Sequence, residues 1–251
     1  MRLSGKTAVI TGSTKGIGLG IARAFVNEGA RVVVNARNAA ECAAVAKELG
    51  AAAVPIAADL SRSDEVQRLA REALAAFDGR VDILINNAGQ PRVAPAVELP
   101  EADYRYTLDL NLTAYFLLSQ ALAKGMLARG QGSIINVGSM NGTQPFPQRL
   151  AYCVSKAGVN MLTKVMAIEW AAAGVRVNCI APGYVETELV KSLSAKGILD
   201  RQKLAGRTPM GRLGTPAEIG AVAVFLASEE ASFITGEVLT ADGGWSSYAY
   251  L

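Results

Sequence analysis

Seven short runs rich in β-branched residues recur along the chain, at 7–11, 31–35, 52–57, 82–86, 133–137, 176–180 and 237–241. Each reads as a strand that is apolar on both faces. The stretches between them are long enough for crossover helices, predicted at 16–28, 40–49, 64–77, about 101–129 and about 152–173. Such strands must be covered on both sides, so the pattern demands a mostly parallel sheet between two helical layers, a doubly wound α/β fold. With 251 residues, 51% hydrophobic and 19% charged, the chain suits one large domain over residues 1–251. Ser61 with Asp64 predicts the cap of one helix. Thr215, Pro216 and Glu218 predict a capping box with proline in the first turn of another.

Composition excludes several classes of function. The 25 basic and 22 acidic residues are dispersed and leave a net charge of +3, so no nucleic-acid partner is expected. No apolar run approaches the roughly 20 residues that span a bilayer, and the first strand starts too early for a cleaved leader to precede it. The expectation is a cytoplasmic protein with no membrane contact. Cys42, Cys153 and Cys179 are too far apart for a disulfide framework or a zinc site, and no metal is expected. The chain has no histidine, which removes Ser-His-Asp hydrolysis and every other mechanism that needs an imidazole.

In a doubly wound sheet, ligands bind beyond the carboxyl ends of the strands. There the first strand runs into TGSTKGIG at 11–18, and a helix follows. Gly12, Gly16 and Gly18 permit a tight turn and close approach to a pyrophosphate, and the helix N-terminus offers free N–H groups. The second strand ends in Ala36 and Arg37, with no carboxylate to accept a ribose 2'-hydroxyl. Arg37 and Lys15 suit a 2'-phosphate, so NADP(H) is the expected cofactor; the competing reading makes both solvated surface charges.

Taken in order, TGSTKGIG, Asp59, NNAG at 86–89, Asn111, Ser139, YCVSK at 152–156 and PGYVET at 182–187 resemble the short-chain dehydrogenases/reductases over almost the whole chain. The resemblance implies a Rossmann-type, seven-stranded parallel sheet and a homotetramer. It implies that Gly12, Ser13, Thr14, Lys15, Gly16, Ile17 and Gly18 cradle the cofactor, with Arg37 near its ribose and Asp59 and Leu60 at its adenine. By the same resemblance Asn87, Ala88 and Gly89 line it, Pro182, Gly183, Val185 and Thr187 reach its nicotinamide side, and Tyr152 and Lys156 also touch it. Asn111 is implied to position a water that links Lys156 to solvent.

Tyr152 and Lys156, four apart on a predicted helix, share one face. An ammonium near a phenol favours the phenolate, and lowering a tyrosine pKa from about 10 to about 7 takes roughly 4 kcal/mol. Tyr152 is thereby the candidate general acid and base, and Ser139 the donor to a substrate oxygen that gains charge. The expected reaction moves hydride between NADP(H) and a carbonyl or secondary alcohol on a small sugar, polyol or keto substrate. The alternatives are 3-oxoacyl carrier-protein reduction, which needs Arg129, Arg149, Lys196, Arg201 and Lys203 to cluster into a docking surface, and a non-catalytic NADP sensor. Residues 186–213 break the strand–helix rhythm and are expected to form a substrate lid. The aromatic tail, Trp245, Tyr248, Tyr250 and Leu251, is expected to pack on a neighbouring subunit.

Overall fold

The computed structural model describes residues 1–197 and 199–249; Ile198 of the expected lid and Tyr250 and Leu251 of the tail lie outside the described residues. The strands are β1 (Thr7–Ile10), β2 (Arg31–Ala36), β3 (Ala53–Ala57), β4 (Ile83–Asn86), β5 (Gly132–Val137), β6 (Val175–Pro182) and β7 (Val238–Ala241). They form one sheet in the order β3-β2-β1-β4-β5-β6-β7, and every pairing is parallel. The helices are α1 (Gly16–Asn27), α2 (Ala39–Leu49), α3 (Ser63–Ala76), α4 (Glu101–Leu108), α5 (Ala114–Arg129), α6 (Leu150–Trp170), α7 (Glu188–Ala195), α8 (Arg201–Arg207) and α9 (Pro216–Ala227).

Side chains of the central strands go alternately to the two faces. Ile10, Val32, Val34, Ile83 and Ile85 pack in the core under α1, α2 and α9. Val9, Val33, Leu84 and Ile134 pack in the core under α3 and α5. Both faces are therefore dry, which is the condition that the unbroken apolar runs require.

Three local readings are refined. The Thr215 capping box forms in full: its hydroxyl accepts from Glu218 N at 3.3 Å and Glu218 Oε2 accepts from Thr215 N at 2.8 Å. The Ser61 cap does not form, because Ser61 donates from both its N and its hydroxyl to Asp59 Oδ1, at 3.1 and 2.8 Å, and α3 starts at Ser63 with no side-chain cap. The long helix expected over 101–129 is broken by a single π-helical turn, Asp109–Thr113, which inserts an extra residue and leaves Asn111 fully buried.

A chain of polar side chains crosses the sheet interior just below the strand ends. Asn86 Nδ2 donates to Ser119 Oγ (3.0 Å) and Asn136 Oδ1 (2.9 Å), and Asn136 Nδ2 donates to Thr163 Oγ1 (2.9 Å). All four residues are buried, so each bond stands in for lost water. Thr163→Val keeps the shape and strands the Asn136 amide; the expected loss is about 1–3 kcal/mol, read as a lower urea midpoint at unchanged slope.

Candidate active site

β1 lies between β2 and β4, so the connections leaving its two neighbours run to opposite sides and a crevice opens at its carboxyl end. A cleft of about 970 Å³ occupies that position, at the upper end of the range of roughly 300–1,000 Å³ for small-molecule sites.

The floor of the cleft is the glycine turn. Gly12 has φ +62° and Gly16 has φ +57°, values that favour glycine. A Cβ on Gly18 would stand 2.2 Å from the Gly12 carbonyl oxygen, so α1 starts this close to β1 only with glycine there. The turn is stapled to the loop after β4: Thr11 Oγ1 accepts from Asn87 N (2.8 Å) and Ala88 N (3.0 Å), and Asn87 Nδ2 donates to the carbonyls of Thr11 (2.8 Å) and Gly12 (3.0 Å). The sequence reading missed Thr11, whose buried hydroxyl joins the two motifs; its place beside the first glycine was the available signal.

Gly12, Thr14, Lys15, Gly16, Ile17 and Gly18 line the cleft, as do Arg37 and Leu60 farther out. Ser13 does not line it: its hydroxyl donates to Ile10 O (2.7 Å) and accepts from Asn35 N (3.0 Å), holding the turn to β2. Nor does Asp59, whose carboxylate is occupied with Ser61. The structure also corrects the view that no carboxylate is available near the second strand. Glu41, in the first turn of α2, lines the same end of the cleft and accepts from Thr14 Oγ1 at 3.3 Å. It stands four residues beyond Arg37 and faces the cleft because Asn38 caps α2, accepting from Ala40 N and Glu41 N.

The other end holds Ser139, Tyr152 and Lys156, with Asn87, Ala88 and Gly89 on one side and Pro182, Gly183, Val185 and Thr187 on the other. Ser139 follows β5, and its Oγ accepts from Asn141 N at 3.1 Å. Lys156 is buried; its Nζ donates to Val137 O at 2.7 Å and lies 3.4 Å from the Tyr115 hydroxyl. The same ammonium lies 5.7 Å from the centre of the Tyr152 ring. A Cβ on Gly89 would meet Asn111 Oδ1 at 3.0 Å and Lys156 Nζ at 3.5 Å, so the loop after β4 passes directly over both. Asn111 itself lies behind the cleft wall. Its Nδ2 donates to Ser155 Oγ (3.1 Å) and Gln90 O (3.3 Å), and its Oδ1 accepts from Gln90 N (3.1 Å), clamping that loop to α6.

Electrostatics depart from the expectation that Lys156 lowers the Tyr152 pKa. Burial pushes the Tyr152 phenol above its ordinary value, against the opposing effects of the Ser139 hydroxyl and the Arg149 charge. Burial likewise pulls Lys156 down to about 8. Burial is the largest influence on each group, and the Lys156 ammonium donates to the Val137 carbonyl.

A family model described as "Enoyl-(Acyl carrier protein) reductase" matches residues 12–246. The galactitol 2-dehydrogenase (L-tagatose-forming) of Cereibacter sphaeroides is 44% identical over 98% of this chain and 96% of its own. This chain is a short-chain dehydrogenase/reductase. A 3-oxoacyl-[acyl-carrier-protein] reductase of Vibrio cholerae is 39% identical over 97% of this chain and 98% of its own. Among solved structures, a gluconate 5-dehydrogenase from Burkholderia cenocepacia in complex with NADP and tartrate superposes with a TM-score of 0.91, at 39% identity over 99% of this chain and 98% of that one.

As a short-chain dehydrogenase/reductase the chain is an oxidoreductase acting on alcohol or keto substrates with a nicotinamide dinucleotide. The donor set fits that cofactor: a glycine turn at a helix N-terminus for a pyrophosphate, and at the adenine end Asn35 Oδ1, a buried acceptor without a partner among the described residues. Among the described residues no helix is long and apolar enough to cross a membrane, and no cluster of metal ligands occurs. Thr11→Val leaves two half-buried N–H groups without their acceptor; we expect a loss of about 1–3 kcal/mol in all and weaker dinucleotide binding, measured by urea denaturation and fluorescence titration.

Proposed function

We propose that the chain reduces and oxidises a small sugar, polyol or keto substrate with NADP(H), in a single domain whose cleft is covered by a lid over 186–213. The observation that carries this reading is the convergence of Ser139, Tyr152 and Lys156 at one end of a cleft whose other end presents Lys15 and Arg37. The cofactor, when bound, supplies or accepts the hydride. Gly12, Thr14, Gly16 and Ile17 hold it at the pyrophosphate, and Asn87, Ala88, Gly89 and Thr187 flank its nicotinamide half.

Ser139 Oγ and the Tyr152 phenol together bind the substrate oxygen. In reduction the phenol delivers a proton to that oxygen as charge builds on it; in oxidation the phenolate receives the proton. A phenol is protonated at neutral pH and burial raises its pKa further, so Tyr152 can give a proton in carbonyl reduction there, while alcohol oxidation, which needs the phenolate, gains as the pH rises. Lys156 lines the cleft with one N–H donated to Val137 O, and its remaining N–H groups would hold ribose hydroxyls of the cofactor. Asn111 keeps the loop over Lys156 in place.

The lid reading is supported by how the segment begins and ends. Val185 and Gly214 form a bridge, Glu186 N donates to Gly214 O (2.7 Å) and Gly214 N donates to Tyr184 O (2.9 Å). The excursion between them, carrying α7 and α8, therefore starts and finishes at one point beside the cleft, the geometry of a hinged flap. The exposed apolar side chains of α6, among them Val154, Met161, Val165 and Ile168, support assembly into a homotetramer. In the tail, Trp245 stacks on Phe146 (6.4 Å) and meets Tyr184 edge-on (5.1 Å), and Arg207 lies over both Trp245 and Tyr248, contacts that would hold it in place to meet a neighbouring subunit.

Reduction of a 3-oxoacyl carrier-protein thioester is the second reading, favoured by the Vibrio relative. Of the basic residues it needs, Arg129 lies apart from the others and Arg201 and Lys203 are paired with acids. Arg129 donates to Val81 O, just before β4 and so at the amino ends of the strands away from the cleft; Arg201 pairs with Glu186, Lys203 lies 4.0 Å from Asp200, and Arg149 lines the cleft. A panel of sugars, polyols, keto acids and acetoacetyl thioesters, read by NADPH absorbance in both directions, separates the two; turnover of thioesters alone would overturn the first reading.

Tyr152→Phe is expected to lower kcat by at least about 100-fold with dinucleotide affinity retained. In the unaltered protein oxidation should climb with pH while reduction holds steady through neutral pH. For the cofactor, Arg37→Ala is expected to lower kcat/KM for NADPH by about 10- to 150-fold and that for NADH little, and Glu41→Gln to raise the NADPH value. Equal efficiency with the two coenzymes before any substitution would remove the 2'-phosphate assignment.

A further inference from the structure

Most arginines of this chain are committed to a partner. Arg2, Arg23, Arg62, Arg68, Arg80, Arg92, Arg105, Arg201 and Arg212 each pair with a carboxylate. Arg129, Arg176 and Arg207 donate to backbone carbonyls. Arg149 differs. It is half-buried and lines the cleft, yet among the described residues no carboxylate lies within ion-pair distance of it and its side chain donates no hydrogen bond.

Its position ties it to the reacting end. Arg149 is the N-cap residue of α6, three before Tyr152, and its carbonyl accepts from Cys153 N at 2.8 Å, so the backbone that carries it is held by the same helix that carries Tyr152. The Arg149 charge is felt at two phenols of the cleft: burial raises both Tyr152 and Tyr184, and Arg149 opposes the rise in each. Carboxylates elsewhere on the cleft wall are engaged, Glu41 with Thr14 at the adenine end and Glu188 with Lys191.

The surroundings favour an anion with a polar body. Tyr184, which lines the cleft, is braced by Trp245, which in turn stacks on Phe146, three residues before Arg149. Gln90 and Asn141, neutral amides able to meet hydroxyl groups, line the cleft as well. A half-buried guanidinium with no internal acid is costly unless something negative completes it, and its planar fork matches a carboxylate with two parallel bonds.

We propose that Arg149 is a specificity-determining residue that binds the carboxylate of a polyhydroxy acid, the class of aldonates and their keto forms, while the carbon that is oxidised or reduced lies at Ser139 and Tyr152. This rests on the reading of the site as an alcohol–carbonyl oxidoreductase. It narrows the substrate from sugars and polyols at large to those with an anionic end. A neutral polyol of the same length leaves the guanidinium without its partner and binds less well.

The test is calorimetric titration of the full chain, saturated with NADPH so that an alcohol cannot react, with gluconate, sorbitol and sorbitol 6-phosphate. Gluconate is expected to bind about tenfold or more tightly than sorbitol. Arg149→Gln should collapse that ratio to near unity, and Arg149→Lys, which keeps the charge and loses the fork, should retain only part of it. Equal affinity for gluconate and sorbitol, failure of gluconate to bind, a ratio that survives Arg149→Gln, or tighter binding of sorbitol 6-phosphate than of gluconate would each overturn the assignment. Turnover of the unaltered protein, measured alongside, keeps the two readings apart. Selective gluconate binding with no oxidation of any alcohol defeats the oxidoreductase reading alone, and brisk polyol turnover without gluconate selectivity defeats the Arg149 assignment alone.

Discussion

The pairing of β1 with β2 on one side and β4 on the other is the constraint from which the site follows. Thr11 N donates to Ile85 O at 3.0 Å just past the end of β1, and the Thr11 hydroxyl then takes two N–H groups from the loop after β4. With both faces of the sheet dry, the crevice where the connections part is where backbone donors can face a ligand. The glycine turn, the loop at 87–89 and, through Gly89, the Lys156 ammonium are all positioned from that junction. Remove the close contact of Gly18 with the Gly12 carbonyl and α1 could no longer aim its N-terminus there.

Burial sets the chemistry of the reacting end. Lys156 and Tyr152 are both pushed toward their neutral forms, the lysine downward and the tyrosine upward. Desolvation is the largest influence on each, and the Val137 carbonyl takes the ammonium's shortest hydrogen bond. Tyr115, fully buried below, adds its ring face and hydroxyl to the lysine's surroundings. The tyrosine is thereby kept as a proton donor at neutral pH, and the positive charge of Arg149 offsets part of the effect of burial.

Much of the architecture was legible in the sequence because it is periodic. Seven apolar runs became seven strands within a residue or two at either end, and the capping box at Thr215 formed as read. The π turn at Asp109–Thr113 was not legible, since one inserted residue in a helix leaves the apolar pattern on either side nearly intact. Ser61 shows the ambiguity of short polar side chains: the residue that suited a helix cap turned back to Asp59 instead. Asp59, which takes that bond, does not line the cleft, and Ser13 braces the turn against β2.

The sequence by itself determined the layered parallel sheet, the glycine turn at the end of its first strand, and which residue types could move a proton in a chain without histidine. Those properties depend on periodicity and short spacings, which linear order carries in full. The tertiary structure alone decided that Glu41 faces the cleft beside Lys15 and Arg37, that Arg149 enters the site without an internal acid, and that the Tyr152 pKa rises. Each of these depends on distances and burial between segments far apart in the chain, and the energy of a charge is set by what surrounds it in space.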